Sequence, residues 1–306
     1  MNEKKVDVVI VGAGPAGIQA AIHSVRKKCS VLMLGRLERS SLYRAHMENY
    51  AFLSGVQTGQ ELLETGLAQV KKFGAEHMED DVLKIRAEDD SFELELENGL
   101  KVRCLSIIFA TGTSRKKLKV GGEKELFGKG VSYCVDCDAN FYRNATVAVV
   151  GDASAAIDGA LTLLGYASKV YLITKELNVS DDLQEKLNQS EVECLSGTWV
   201  KEIVGETMVT SVVLEDGKEL NLDGVFIELG AKGAMELALE IGVQLDIETM
   251  THIQINRLME TNIDGVYAAG DIVGYPYQVA KAVGEGCIAG MEAAKYVRNR
   301  KKALAS

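Results

Sequence analysis

The chain has 306 residues, 47% of them hydrophobic, which is enough for two globular domains that each bury a core. Its formal net charge of -10 at pH 7 argues against a nucleic-acid partner, because binding phosphates requires clustered Lys and Arg. No apolar run reaches the roughly 20 residues that span a bilayer, and the first residues lack a signal-peptide core, so we expect a cytoplasmic protein without membrane contact.

The first predicted elements form a Rossmann unit. Residues 6–11, apolar except for Asp7, are typical of a buried strand, a helix is predicted over 18–25, and a second strand over 30–34. Between the first strand and the helix lies a G-x-G-x-x-G turn, whose glycines allow a tight turn, close approach to a pyrophosphate and close helix packing. The residues expected to contact a dinucleotide at this helix N-terminus are Gly12, Gly14, Pro15, Ala16 and Gly17.

An acidic residue follows the second strand of this unit. Glu38 lies at a position from which a carboxylate accepts hydrogen bonds from the adenosine ribose. The alternative is that Glu38 is a solvated surface acid within the charged stretch 36–39.

A similar pattern recurs about 140 residues later. A strand is predicted over 146–150, a Gly/Ala turn over 151–156, a helix over 156–165 and a further strand over 169–173. Two such units imply two nucleotide-binding-type domains rather than one long sheet, with junctions near Gly112 and Gly233.

Cys134 and Cys137 form the one tight cysteine pair among six cysteines. A C-x-x-C at the start of a helix closes into a reducible ring, and the helix N–H groups lower the thiol pKa and favour disulfide exchange. The rival interpretation is half a zinc site, but a structural zinc site needs four ligands and no second C-x-x-C is present, so we expect no metal. The other four are expected to be ordinary buried residues: Cys29, Cys104, Cys194 and Cys287.

The order of four segments resembles that of low-molecular-weight thioredoxin reductases, and the resemblance extends from residue 6 to about residue 296. The segments are Glu48-Asn49-Tyr50, Ala110-Thr111-Gly112, Cys134-Val135-Asp136-Cys137-Asp138 and Tyr267-Ala268-Ala269-Gly270-Asp271.

This resemblance implies an α/β fold with two Rossmann-like, three-layer nucleotide-binding domains. A discontinuous FAD domain would comprise residues 1–112 and 234–306, and an inserted NAD(P)H-type domain, residues 113–233, would carry the cysteine pair. The cofactor implied is FAD. The further residues implied to contact it are Asn49, Val82, Ala110, Thr111, Gly112, Gly270, Asp271, Gln278 and Val279.

Three of these assignments carry a specific expectation. Val82 would contact the adenine, although a single valine is more often part of a core, and Asp271 would hold the ribityl chain. Gln278 would begin a helix over 278–297 whose dipole stabilises negative charge on a reduced flavin. Tyr277 departs from the pattern, because the family usually has arginine there.

The resemblance also implies the roles of the catalytic residues and the partners. Cys137 would receive electrons from the flavin, Cys134 would attack the disulfide of a thioredoxin-like protein, and Asp138 would handle the thiol proton. Family members usually form homodimers, and we expect one here.

Two departures from the family concern the electron donor. In the second glycine turn, Ala153 occupies the position where the backbone should approach a pyrophosphate, and Asp152 adds negative charge. At the positions that bind the 2′-phosphate of NADPH, the chain has Thr174, Lys175, Glu176 and Ser180, with one cation where the family has three.

These departures argue against NADPH and leave two donors open. Glu176 could bind the ribose of NADH, or the enzyme takes electrons from reduced ferredoxin, which we favour. Basic residues at 115–119 and 298–302 could dock an acidic ferredoxin or could be solvated faces. The alternative functions are an NAD(P)H-dependent thioredoxin reductase, a FAD-dependent dithiol oxidase and a redox-sensing flavoprotein.

Overall fold

The structure, a computed structural model, describes residues 3–112, 117–230, 233–247 and 251–304, except for the side chains of Cys137 and Ala234. The chain divides into two compact units. The discontinuous unit comprises Met1–Thr113 and Leu237–Ser306, and the inserted unit comprises Ser114–Glu236.

The strands in chain order are β1 (Glu3–Lys5), β2 (Val8–Val11), β3 (Val31–Leu34), β4 (His46–Met47), β5 (Gln57–Thr58), β6 (Glu76–Met78), β7 (Val82–Ala87), β8 (Phe92–Leu96), β9 (Lys101–Cys104), β10 (Ser106–Phe109), β11 (Val131–Ser132), β12 (Thr146–Val150), β13 (Lys169–Thr174), β14 (Glu193–Ser196), β15 (Val200–Gly205), β16 (Val209–Leu214), β17 (Glu219–Asn221), β18 (Gly224–Ile227) and β19 (Val266–Ala268). The α-helices are α1 (Pro15–Arg26), α2 (Gly59–Lys72), α3 (Val135–Asp138), α4 (Ser154–Leu163), α5 (Asp181–Asn188), α6 (Ala234–Glu240) and α7 (Val279–Leu304).

The discontinuous unit is built on a parallel sheet whose described strands run in the order β19-β10-β2-β3-β6. The strands β2, β3 and β10 are fully buried, as parallel strands covered on both faces should be. Their core continues into α1 and α7. A second described sheet, in the order β1-β9-β8-β7, belongs to the same unit.

The strand predicted over 6–11 is the shorter β2 (Val8–Val11) in the structure, and a separate strand, β1, precedes the predicted range. β1 pairs with β9 in one sheet, whereas β2 pairs with β3 and β10 in the other. The chain changes sheets between them, where the Val6 N–H donates to Arg103 and the Asp7 N–H donates to the Ser30 carbonyl. Hydrophobicity does not mark β1 as a strand, because its residues are Glu3, Lys4 and Lys5.

The inserted unit repeats the parallel arrangement, with described strands in the order β11-β18-β12-β13-β14. Strand β12 has the limits predicted for it, and β13 extends one residue beyond the prediction. An antiparallel sheet of β15, β16 and β17 lies in the same unit. The α/β fold with two Rossmann-like units is therefore confirmed, whereas the exact domain limits stay a prediction.

One cysteine prediction is wrong. Cys29 and Cys104 are buried and Cys287 is half-buried, but Cys194 is exposed. Cys194 lies on β14, an edge strand of the described sheet, so its side chain lacks the cover that the central strands receive.

Two helices from distant parts of the discontinuous unit pack with their backbones almost touching. An added Cβ would lie 2.2 Å from the Ala16 carbonyl oxygen at Gly286, and 2.4 Å from the Ala20 carbonyl oxygen at Gly290. Ser24 donates to the Gly290 carbonyl at 3.1 Å. The contact joins α1 to α7, and it exists only because glycine removes the side chains between them.

No helix in the described ranges is long and apolar enough to cross a membrane. The described residues also contain no group of three or more His, Cys, Asp or Glu that could hold a metal ion.

Candidate active site

The first glycine turn is fixed by backbone contacts that leave no room for side chains. Gly12 has φ +118° and its N–H donates to the Leu34 carbonyl at 2.8 Å. A Cβ on Gly12 would lie 2.3 Å from the Ala110 carbonyl oxygen, and one on Gly17 would lie 1.9 Å from the Gly12 carbonyl oxygen. The predicted residues Gly12, Gly17 and Ala110 are therefore brought together at the carboxyl ends of β2 and β10.

Gly14, unlike Gly12 and Gly17, has open space where a side chain would lie. It is the N-cap of α1, with Pro15 as the first helical residue, and no side chain caps the helix. A Cβ on Gly14 would have Ser40 Oγ, at 3.4 Å, as its nearest neighbour, so the space in front of the helix is open. The first N–H groups of a helix have no intrahelical acceptor and attract anions. The turn therefore fits the pyrophosphate of FAD, with Ala16 and Gly17 buried in the first turn.

The predicted adenosine contacts lie on two neighbouring segments. Glu38 is exposed in a short 3-10 helix, and Val82 is buried at the start of β7. Arg39 beside Glu38 donates twice to the Asp81 carboxylate beside Val82, at 2.7 and 2.8 Å. This double contact holds the two segments together, so both roles stay predictions that the geometry allows.

The crossing segment after β10 continues this edge of the sheet. The Ala110 N–H donates to the Val11 carbonyl at 2.8 Å, which extends the parallel pairing by one residue. Thr111 is exposed and Gly112 has φ +73°, a left-handed conformation that favours glycine.

The second FAD segment meets the first at Gly270. This residue has φ +86°, and a Cβ on it would lie 3.0 Å from the Ala16 side chain on α1. Asp271 follows, half-buried, at the start of a short 3-10 helix. Burial raises the pKa of the Asp271 carboxyl, Lys281 opposes that rise and Glu285 adds to it.

Two predicted flavin neighbours contact each other directly. Asn49 Nδ2 donates to Gln278 Oε1 at 3.3 Å, although the two residues are 229 positions apart. Val279 is the first residue of α7. At the departure from the family pattern, the Tyr277 hydroxyl lies 2.8 Å from His252 Nε2.

Cys134 directly precedes α3, a single helical turn, and Cys137 lies within it. Cys134 is 6% exposed and disulfide-bonded. Its N–H donates to Ser132 Oγ at 3.0 Å, and the Ser132 hydroxyl donates to Asp138 Oδ2 at 2.7 Å. Cys137 contributes its backbone to α3, and its side chain lies outside the described residues. Ser132 thus links the predicted acid to the segment that begins with Cys134.

A buried carboxylate stands at the N-terminus of this helix. Glu228, 6% exposed, accepts a hydrogen bond from the Val135 N–H at 3.3 Å. It lines a small cavity with Asp136, Asp158 and Glu236. A helix N-terminus favours a thiolate and nearby carboxylates disfavour it, so two opposing influences act on the dithiol.

The second glycine turn differs from the first in its hydrogen bonds. Ala153 is the N-cap of α4, and the Ala155 N–H in the first turn donates to the Gly230 carbonyl at 3.2 Å. The Asn178 N–H donates to the Asp152 carbonyl at 2.9 Å, which joins the turn to the segment after β13. The Ala155 N–H, a donor at the helix N-terminus where a dinucleotide site binds a diphosphate, is therefore engaged by the chain itself.

The residues at the positions expected to bind a 2′-phosphate are also unsuited to that role. Thr174 is fully buried, Glu176 is exposed, and Lys175 pairs with Glu215 at 3.1 Å. Ser180 caps α5 by accepting from the Leu183 N–H. The single cation of this group is therefore already paired with a carboxylate.

The two basic groups are only partly described. Residues 115 and 116 lie outside the described residues, whereas Lys117 and Lys119 are described and exposed. In α7, Arg300 pairs with Asp90 and Lys301 pairs with Asp7 at 2.6 Å. These pairs lower the positive charge available to an acidic partner on that face.

The pyridine nucleotide-disulphide oxidoreductase family matches residues 6–286 of the chain. The chain belongs to this family. It is therefore a flavin-dependent disulfide oxidoreductase, as the glycine turn and the cysteine pair predict.

Individual members of the family resemble the chain over nearly its whole length. A thioredoxin reductase from Listeria innocua is 34% identical, over 99% of this chain and 97% of the relative. The crystal structure of an atypical thioredoxin reductase from Desulfovibrio vulgaris Hildenborough has a TM-score of 0.84 at 32% identity, covering 96% of this chain and 98% of the other. A ferredoxin-flavin thioredoxin reductase from Clostridium acetobutylicum has a TM-score of 0.68 at 32% identity, covering 97% and 100%.

Sequence reasoning missed four polar residues that contact the predicted site segments within each unit: Ser132 and Glu228 in the inserted unit, and Lys281 and Glu285 in the discontinuous unit. A signal existed for Glu228, because an acid directly after a buried parallel strand lies at the carboxyl edge of the sheet. The i,i+4 spacing of Lys281 and Glu285 predicts an ion pair but not the loop it contacts. Nothing in the sequence marks Ser132.

Proposed function

We propose that the chain reduces the disulfide of a thioredoxin-like protein with the Cys134/Cys137 pair, using FAD as its cofactor and reduced ferredoxin rather than NADPH as its electron donor. When bound, FAD supplies two electrons to a disulfide and accepts electrons one at a time from a carrier such as ferredoxin. This combination suits an enzyme that lacks a hydride donor.

The contrast between the two glycine turns carries the proposal. At the first turn Gly14 leaves the helix N-terminus open, with Ser40 Oγ the nearest atom to a Cβ at 3.4 Å. At the second, the Ala155 N–H is bonded to Gly230, and the Asp152 carbonyl is bonded to Asn178. The first turn therefore supports a dinucleotide site and the second does not. This contrast favours an enzyme that binds FAD but no pyridine nucleotide.

The residues expected to bind FAD come from both segments of the discontinuous unit. Gly12, Gly14 and Gly17 would cradle the pyrophosphate, and Asp271 would accept hydrogen bonds from the ribityl hydroxyls. Asn49 and Gln278 would lie beside the ring system, where their mutual hydrogen bond fixes both amides.

The cysteine chemistry follows from the groups around α3. The Cys134 thiolate attacks one sulfur of the partner disulfide, forms a mixed disulfide and releases the other sulfur as a thiolate. The Cys137 thiolate then attacks Cys134, which releases the second partner sulfur and regenerates the intramolecular disulfide. Asp138, which follows Cys137 in the chain and accepts a hydrogen bond from Ser132, would exchange the thiol proton.

Anaerobic titration of the purified flavoprotein tests the electron donor. We expect reduced ferredoxin to bleach the flavin spectrum and to support reduction of thioredoxin, whereas NADPH and NADH leave the flavin oxidised. Rapid bleaching by NADPH or NADH would overturn the ferredoxin assignment. Retention of full thioredoxin reduction by Cys134→Ser and Cys137→Ser variants would overturn the role of the cysteine pair.

The proposal includes a homodimer in the cytoplasm, as the resemblance to this family implies. Light scattering of the purified protein after size-exclusion chromatography tests the dimer, for which the expected mass is twice the 33.1 kDa of one chain.

A further inference from the structure

An ion pair on helix α7 forms hydrogen bonds with the backbone of Gly270, the residue before Asp271. Lys281 Nζ lies 3.0 Å from Glu285 Oε2, and the side chains are only 15% and 17% exposed. Lys281 also donates to the Gly270 carbonyl at 2.9 Å, and the Gly270 N–H donates to Glu285 Oε2 at 2.9 Å. The pair thus satisfies both polar groups of one residue.

Gly270 has a left-handed backbone conformation and is closely packed. Gly270 has φ +86° and lies so close to Ala16 that a Cβ would be 3.0 Å from that side chain. Its peptide connects β19 to the 3-10 helix Asp271–Val273. The Gly270 carbonyl also accepts from the Val273 N–H at 3.1 Å, and together with this bond the two hydrogen bonds from α7 orient the chain as it enters Asp271.

Largely buried ion pairs add little net stability, because desolvating two charges offsets their attraction. The charges have a second effect here, since Lys281 and Glu285 are the charged groups that act on Asp271. Burial disfavours the carboxylate form of Asp271, and the Lys281 ammonium partly restores it. A carboxylate accepts hydrogen bonds from hydroxyls more strongly than a neutral acid does.

We infer that Lys281 and Glu285 are positioning residues for the cofactor, which hold the Gly270 peptide and the charge of Asp271 so that this carboxylate receives the ribityl hydroxyls of FAD. The inference rests on the role proposed above for Asp271. It assigns to the pair a function in cofactor affinity rather than in folding alone.

The test measures the dissociation constant of FAD by titrating the full-length apoprotein and following flavin fluorescence. The variants are Lys281→Met, Asp271→Asn and the double variant. We expect Lys281→Met to weaken FAD binding about 10-fold, the effect of losing one charge-assisted contact. In the Asp271→Asn background, the same change should weaken binding by less than about 3-fold, because the carboxylate through which it acts is gone.

The same helix supplies a matched control. Lys295 pairs with Glu292 at 2.8 Å in a comparable Lys–Glu contact, but it is 56% exposed. Lys295→Met should leave the dissociation constant unchanged. If Lys281→Met does not yield a folded apoprotein by circular dichroism, Lys281→Gln replaces it, because an amide N–H still donates to Gly270 while the charge is lost.

The outcomes distinguish failure of the inference about Lys281 from failure of the role proposed for Asp271. Equal weakening by Lys281→Met in both backgrounds would overturn the inference, since the lysine would then act independently of Asp271. If Asp271→Asn itself leaves FAD affinity unchanged, the proposed role of Asp271 is wrong and the inference falls with it.

Discussion

The Ser132 hydroxyl donates a hydrogen bond to the Asp138 carboxylate, with 2.7 Å between the oxygens, across the segment that contains both cysteines. The same oxygen accepts the Cys134 N–H at 3.0 Å. One small side chain therefore sets the distance between the start of the dithiol helix and the acid at its end.

Ser132→Ala should slow thioredoxin reduction about 2- to 10-fold, because one lost hydrogen bond corresponds to about 0.5–1.5 kcal/mol. Measuring the steady-state rate of thioredoxin reduction checks this effect.

Ser168→Ala is the control for this variant. Ser168 lies in the same unit and donates to backbone carbonyls of Asn144 and Ala145 instead of a carboxylate. An unchanged rate in Ser132→Ala, or an equal loss of rate in Ser168→Ala, would contradict the prediction.

The glycines of the first turn should separate cofactor binding from folding. Gly14→Ala places a methyl group in front of α1, where its nearest neighbour is Ser40 Oγ at 3.4 Å, so the protein should fold. FAD affinity should fall at least about 10-fold, because the pyrophosphate approaches at this position. Flavin content after purification and reconstitution of the apoprotein measure the loss.

Gly17→Ala, in contrast to Gly14→Ala, should disrupt folding. Its Cβ would lie 1.9 Å from the Gly12 carbonyl oxygen, so the backbone itself must move. We expect little folded protein by circular dichroism. Normal flavin content in Gly14→Ala would show that no phosphate group approaches Gly14.

Asp271→Asn should stabilise the apoprotein while weakening FAD binding. Burial raises the pKa of the Asp271 carboxyl, so ionising it is less favourable in the folded than in the unfolded chain. Stability is therefore lost as pH rises from the unfolded pKa through the folded one, and the loss is complete above the folded pKa.

The asparagine removes this destabilising ionisation. At pH 7 the melting temperature of the apoprotein should rise by about 1–2 °C, and the difference should shrink as pH falls toward about 4. Thermal scans of both apoproteins across this range check the sign. A lower melting temperature at pH 7 would contradict it.

Repairing the second glycine turn should not create an NADPH-dependent enzyme. Ala153→Gly combined with Glu176→Arg restores a glycine and a cation, but the Ala155 N–H remains bonded to the Gly230 carbonyl. We expect NADPH oxidation to rise less than about 10-fold, since a diphosphate must still displace a backbone hydrogen bond. Ferredoxin-dependent activity of the same variant is the control. A larger gain would show that residues 153 and 176 alone determine the donor.

Much of this fold follows from hydrophobic segments and glycine spacing. The limits of β12 are predicted from its apolar run, and the first glycine turn is predicted to lie between a strand and a helix, as it does. These features are local, and a few consecutive residues determine each one.

The missed features depend on contacts between distant residues. Lys281 contacts Gly270 across a turn, and Glu228 contacts Val135 from a position 93 residues away. The division of residues 3–11 into β1 and β2 follows from which partner strand lies alongside, and the exposure of Cys194 follows from the place of β14 in the sheet. A sequence pattern contains the residue types but not these neighbours.

The close packing of α1 against α7 has a consequence for biosynthesis. Proteins are made from the N-terminus, and domains fold as they emerge from the ribosome. The helix that begins at Pro15 is made early. Gly286 and Gly290 pack against this helix, yet they are translated after all of residues 114–236. The inserted unit can fold while its host is still incomplete, so the newly made chain acquires its prosthetic group as one of the last steps of its maturation.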